Sequence, residues 1–220
     1  MTEAAADLGV VGDRYRIEAE LGHGGMARVY RVVDTRSGAT LALKQLVTVT
    51  DQPATEHAMF EHEYHTLVQL AHPHIVRVFD YGMDASGPFY TMEVLEGCNA
   101  RDSMRKEALD VRAVCVLLRD LASALALIHS RRLAHRDLSP RNVWCTPDGR
   151  ARLIDFGTLA PLGVQAGIAG TPPFVPPEAV HMQPLDARSD VYALGALAYY
   201  LLVRRNAYPA RRVRDLRKLW

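Results

Sequence analysis

Between His135 and Asn142 the chain reads H-R-D-L-S-P-R-N, and Asp155-Phe156-Gly157 follows thirteen residues after Asn142. Two aspartates and an asparagine in this order match a phosphoryl-transfer motif, whose chemistry needs side-chain oxygens for an attacking hydroxyl and for hard metal ions. Upstream, Leu21-Gly22-His23-Gly24-Gly25-Met26-Ala27-Arg28-Val29 is rich in glycine. Without Cβ atoms in the way, backbone N–H groups can approach phosphate oxygens there. The same cluster also suits a plain hairpin, and Ala27 occupies the third glycine position of G-x-G-x-x-G. Ala42-Leu43-Lys44 then sets a lysine among apolar neighbours, and Glu61 and Glu63 follow in a helical pattern.

These residues need elements to carry them. Tyr15 to Ala19 and Arg28 to Asp34, rich in β-branched or aromatic residues, read as strands on either side of the glycine turn, and Leu41 to Val47 as a third. Ala54 to Ala71 is predicted helical, with Phe60, Leu67, Val68 and Leu70 as its apolar positions and His72-Pro73 as its stop. Ile75 to Tyr81 and Phe89 to Leu95 complete a five-stranded sheet. Beyond Gly97 the pattern turns helical: Val114, Leu117, Leu118, Leu121, Leu125 and Ile128 recur near a 3.6 period within Val111 to Ser130. Short strands at Val143 to Cys145 and Arg152 to Ile154 bracket the Pro147-Asp148-Gly149 turn. A Gly- and Pro-containing loop from Gly157 to Pro177 precedes an apolar helix over Ser189 to Val203. The organisation is a β-rich part, a hinge near Glu93 to Gly97, and a helical part.

The 220 residues, 49% hydrophobic, can bury a substantial core. A formal net charge of +1 gives no global reason to expect nucleic acid or an anionic membrane as partner. Three cysteines, Cys98, Cys115 and Cys145, are too few and scattered for a disulfide framework and suit a reducing, cytoplasmic setting. The longest apolar run, Val191 to Val203, is shorter than the roughly 20 residues a bilayer requires. Met1 to Asp7 lacks the features of a secretory signal, and residues 1–14 are expected to be a flexible leader.

From Tyr15 to about Tyr200 the chain resembles the eukaryotic-like protein kinases, and its G-G-M-A-R-V-Y glycine loop is most similar to the bacterial Ser/Thr branch. The resemblance implies an α+β, bilobal fold: a five-stranded antiparallel N-lobe with one main helix over 15–95, a hinge at 93–97, and a mostly helical C-lobe over 98–220. It makes Asp137 the catalytic base, Asn142 and Asp155 the ligands of Mg2+, and Lys44 with Glu63 the pair that anchors the phosphates of ATP. Glu63 is preferred to Glu61 because it stands nine residues before His72, as the family's spacing to its His-Pro requires.

The same resemblance assigns the nucleotide site to Leu21, Gly22, His23, Gly24 and Gly25 of the glycine loop, with Val29 and Ala42 as its roof. Met92 is the gatekeeper, Glu93 and Leu95 offer backbone groups to adenine, and Trp144 is the floor, where it would stack on the base or crowd it. Leu67, Val78, His135 and Phe156 match an apolar column with Asp190 as its anchor, and Thr171 matches a residue that packs against the catalytic Asp.

Three departures matter. Ser139 stands where Ser/Thr kinases carry a lysine that neutralises the transferred phosphate, so Arg141 or another cation would have to substitute. Between Asp155 and Glu178 the only hydroxyl residues are Thr158 and Thr171, which leaves no evident phosphorylation site for Arg136 and implies activity independent of loop phosphorylation. By the resemblance, the last helices of a kinase C-lobe are expected to be missing from this sequence, and Arg204 to Trp220, with seven basic residues and Val213, Leu216 and Leu219 at helical spacing, reads as a solvated tail, a makeshift cap, a partner-binding helix or the remnant of a truncated gene product. A partner covering the shortened C-lobe is expected. The functions implied are a Ser/Thr protein kinase acting on protein hydroxyls or a catalytically weak, nucleotide- or partner-binding module. Arg136, the complete Asp-Phe-Gly and Gly170 to Glu178 argue against a small-molecule phosphotransferase.

Overall fold

The computed structural model describes residues 9–24, 26–47 and 52–219, so Gly25 and Met1 to Asp7 lie outside it. The chain divides into two compact units, one holding the chain up to Ala71 with Arg77–Val94, the other His72–Val76 with the chain from Leu95. That division falls inside the hinge expected at 93–97.

The first unit is an antiparallel sheet with one helix. Its strands are β1 (Val10–Val11), β2 (Tyr15–His23), β3 (Ala27–Asp34), β4 (Thr40–Leu46), β5 (Val78–Asp84) and β6 (Gly87–Met92), in the order β1-β2-β3-β4-β6-β5. The sheet therefore has six strands and not five. The added one, β1, lies within the expected leader: Val11 pairs with Tyr15 and is buried, so an apolar Val-Val pair at 10–11 finds a core despite its flanking turn residues. Helix α1 (Pro53–Gln69) starts with a proline at its first turn, where a missing N–H costs nothing, and packs against β5 and β6. Its buried residues are Glu56, Phe60, Glu63 and Leu67, a 4-3-4 stripe that includes two carboxylates, while Val68 is exposed.

Ile75 to Tyr81 is not one strand. Val76 N–H donates to Leu153 O at 2.9 Å and Leu153 N–H to His74 O at 2.9 Å, so this stretch belongs to the second unit, and β5 begins only at Val78. Ile75 instead forms a bridge with Leu153, 78 residues away in sequence and out of reach of a periodicity argument.

The second unit is built on α3 (Val111–Ser130) and α5 (Ala187–Val203), which pack together. Asp110 caps α3 by accepting from Ala113 N–H at 2.6 Å, and Asp186 caps α5 by accepting from Arg188 N–H at 2.8 Å. Around them lie β7 (Cys98–Asn99), α2 (Ala100–Lys106), β8 (Leu133–Ala134), β9 (Val143–Cys145), β10 (Ala151–Leu153), β11 (Ala160–Pro161), a 3-10 turn (Pro172–Phe174), α4 (Pro177–Val180) and α6 (Val213–Leu216). Strands β10, β9 and β7 form one small sheet; β11 and β8 form another.

The C-terminal stretch is not a solvated tail. Leu216 is fully buried in a cluster with Val175, Ala179, Val180, Leu185 and Ala210, and the Arg217 guanidinium donates to Val180 O at 2.9 Å. Of the readings offered for it, the cap is the one its packing matches, with Ala210 and Leu216 buried and Tyr208 and Val213 against the same cluster. On α5, Val191, Tyr199 and Leu202 stay exposed. Among the described residues no helix is long and apolar enough to cross a membrane.

Candidate active site

In the first unit, Lys44 sits mid-strand on β4, opposite Val29 of β3 and Tyr90 of β6. Its Nζ donates to Glu63 Oε1 at 2.8 Å, and the Tyr90 hydroxyl donates to the same oxygen at 3.0 Å. Glu63 can be there because it lies in the buried stripe of α1; Glu61 points out, near His65 at 3.6 Å. The Lys44 ammonium also lies 5.7 Å from the centre of the Tyr90 ring and 6.0 Å from that of Phe60. Tyr90 is the residue that sequence reasoning missed. The only available signal was an aromatic in a strand, which ordinarily means core.

Ala42 and Met92 are directly opposed across β4 and β6, both buried, and Val29 is half-buried. Glu93 is tied to Arg77 twice: its N–H donates to Arg77 O at 2.9 Å, and its carboxylate accepts from Arg77 N–H at 2.9 Å. In the glycine loop, Gly22 is still within β2, Gly24 N–H closes the turn on Ala27 O at 2.8 Å, and Leu21 and His23 are exposed. Hairpin and phosphate loop are therefore compatible readings of one segment.

In the second unit, Asp137 is gripped on both oxygens. Its Oδ1 accepts from Thr171 N–H at 2.8 Å and from the Thr171 hydroxyl at 2.7 Å, and its Oδ2 accepts from Asn142 Nδ2 at 2.9 Å. The same Nδ2 reaches Asp137 O at 2.9 Å. Thr171 arrives there through Gly170, whose φ of +110° is open to glycine and whose Cα lies against the Arg136 carbonyl with no room for a Cβ.

The loop before Asp137 is clamped from α5. Asp190, buried, accepts from His135 N–H at 2.8 Å, Arg136 N–H at 2.9 Å and His129 Nε2 at 2.8 Å. Burial alone would raise its carboxyl; those donors and the nearby His135 outweigh it and hold it below the usual carboxylate range. Arg136 has φ +70°, a left-handed conformation that costs a non-glycine residue roughly 1–2 kcal/mol. Two N–H bonds to one buried carboxylate are what sustain it. The Arg136 guanidinium, its pKa lowered by burial, donates to Gly167 O at 3.0 Å, and the Thr158 hydroxyl donates to His135 O at 2.8 Å. The rings of His135 and Phe156 meet edge-on, 5.1 Å between centres.

Asp155 follows β10, which is joined to the loop by Ile154 N–H donating to Asn142 O at 3.1 Å, and its Oδ1 accepts weakly from Gly157 N–H at 3.3 Å. With Nδ2 of Asn142 spent on Asp137, the carbonyl oxygen is the donor atom left to that side chain; it and the Asp155 carboxylate are oxygen donors of the kind that magnesium takes. Trp144, on β9, donates its indole N–H to Glu96 O at 2.9 Å, which fixes the ring; Leu95, the residue before Glu96, is half-buried.

Ser139 differs from all of these. It is buried, and its hydroxyl finds no hydrogen-bond partner among the described residues. A buried Ser hydroxyl does not extend outward as a lysine ammonium would, while Arg141, two positions on, is exposed.

A six-stranded sheet with a Lys–Glu pair in one unit, and an aspartate loop clamped by a buried aspartate in the other, belong to the fold of a protein kinase domain. The chain matches that family over residues 15–219 and belongs to it. It is similar to the serine/threonine-protein kinase PknL of Mycobacterium tuberculosis, 32% identical over 207 residues that cover 91% of this chain and 52% of the relative. It is also similar to the DNA damage-responsive serine/threonine-protein kinase RqkA of Deinococcus radiodurans, 39% identical over 197 residues, covering 84% of this chain and 29% of the relative. A serine/threonine-protein kinase of Myxococcus xanthus is 33% identical over 212 residues, 90% of this chain and 25% of the relative. The chain thus spans between a quarter and a half of the length of these relatives.

Proposed function

We propose that the chain is an ATP-dependent serine/threonine protein kinase, with Asp137 orienting a protein Ser or Thr hydroxyl and taking its proton as the γ-phosphate moves in line onto the oxygen. The observation that carries this reading is the grip on Asp137: Thr171 and Asn142 hold both carboxylate oxygens, so the base is presented in one orientation. Lys44, steadied by Glu63 and Tyr90, would meet the α and β phosphates, and Asn142 and Asp155 would hold magnesium. Bound there, the ion would offset charge on the transferred group. Met92, Ala42, Val29, Leu95 and Trp144 would line the base, with Glu93 and the glycine loop supplying backbone groups. The three free cysteines fit a cytoplasmic setting.

The second reading, a domain that binds nucleotide but transfers phosphate slowly, rests on Ser139. Loss of one preorganised cationic contact to the transferred group costs on the order of 10²–10³ in rate. Purified protein incubated with labelled ATP and magnesium, with and without a generic protein substrate and beside Asp137→Asn, separates the two. Transfer above that control supports the kinase; retained nucleotide binding without it supports the binding domain.

A further inference from the structure

Cys98 and Cys145 stand 47 residues apart in sequence but directly opposite each other in the antiparallel pairing of β7 with β9. Opposed antiparallel residues lie about 4.5–5.5 Å apart at Cα, inside the roughly 4.4–6.8 Å that a disulfide spans. Their closeness is enforced next door. Gly97 has φ +103°, and a Cβ there would run into the carbonyl of Cys145, so only glycine lets the chain lie so near that strand. Both thiols are free and neither side chain is fully buried, and Cys115 is on the exposed face of α3. We propose that Cys98 and Cys145 form a reversible dithiol–disulfide site, closed by a low-molecular-weight disulfide such as oxidised glutathione.

The two sulfurs are unequal, and the inequality orders the steps. The Lys106 ammonium donates to Cys98 Sγ at 3.9 Å. Burial, then the facing Cys98 thiol, push the Cys145 thiol up to about 11. Cys98 is the attacking sulfur: as thiolate it takes one sulfur of the small disulfide, and the S–S bond breaks to release one small thiolate. Cys145 then attacks the Cys98 sulfur of the mixed disulfide, gives up its proton to solvent, and expels the second small thiolate. Two protein thiols are oxidised, one small disulfide is reduced, and two small thiols leave. The bond would join the strand bearing Trp144 to the segment that begins just after that residue's carbonyl partner, Glu96.

The test treats reduced full chain with oxidised glutathione and reads intact mass and a peptide map without reductant. Wild type is expected to lose two hydrogens in mass and yield a peptide joining Cys98 to Cys145, both reversed by dithiothreitol. Cys145→Ser should stop at a glutathione adduct on Cys98, and Cys98→Ser should give no intramolecular bond; circular dichroism checks that both are folded. Iodoacetamide should block Cys98 faster than Cys145. A wild-type chain that halts at the Cys98 adduct, a bond to Cys115, or a Cys98 that does not react would overturn the proposal, and the wild-type map decides even if a variant fails to fold.

Discussion

The two units hold their key carboxylates by opposite means. In the sheet unit, Glu63 is met by two side chains, Lys44 and Tyr90, each reaching across from a strand to a helix. In the helical unit, Asp190 is met by two backbone N–H groups and one imidazole, so it shapes the main chain itself. Side-chain pairs can be removed with little loss of fold. A carboxylate that satisfies buried N–H groups cannot, because its removal leaves donors unpaired where water does not reach. The lesson is that a carboxylate held by side chains can be changed with little effect on the backbone around it, whereas Asp190 holds the backbone itself.

The sharpest break of that contrast comes from Asp137→Asn, expected to lower phosphoryl transfer by about 10²–10⁴ while the melting temperature stays near wild type. A steady-state assay beside thermal unfolding checks it, and an unchanged rate would remove Asp137 from the chemistry. Asp190→Ala should do what Asp137→Asn does not. With two buried N–H groups orphaned, stability should fall by about 3–5 kcal/mol by denaturant titration, with activity lost alongside. Tyr90→Phe leaves the Lys44–Glu63 pair in place and should cost about 1–2 kcal/mol or less in stability, with only a several-fold loss of rate.

Acid sharpens the same difference. Burial would raise the Asp120 carboxyl, but bonds from Arg150, Ala151 N–H and Arg119 outweigh it and leave it at about 2, and Asp190 is lowered too. A folded pKa below the unfolded value of about 3.9 gives stability that is complete above pH 4 and lost as pH falls toward 2. Asp120→Asn should therefore flatten the fall in unfolding free energy between pH 4 and 2. The smallest expected effect is none: phosphatase treatment should leave turnover unchanged, since Arg136 is already held by Gly167 O and Thr158 by His135 O. A large loss would show that the loop needs a phosphate.

The candidate site residues could be named from sequence because each lies in a local motif: Asp137 with Asn142, Asp155 before Phe156-Gly157, Lys44 in an apolar strand. Helix α3 was legible to the residue, since its apolar period is long and its cap, Asp110, is local. What could not be read depends on partners remote in sequence. The burial of Ser139, the third member of the Lys44–Glu63–Tyr90 set, and the closure of Leu216 over α4 are properties of packing, and no window of sequence contains them. The strand expected over Ile75 to Tyr81 failed for the same reason: its composition states a strand but not that Ile75 pairs with Leu153 while β5 begins at Val78.

The clamp from Asp190 also has a kinetic reading. The amides of His135 and Arg136 can exchange their hydrogens with solvent only when the bonds to Asp190 open, and Asp190 sits, buried, in the first turn of α5, which packs against α3. Their exchange rates should therefore track the slowest, global opening of that unit and not local fraying of a loop. The loop from His135 to Asp137 would then be among the last parts of its unit to loosen.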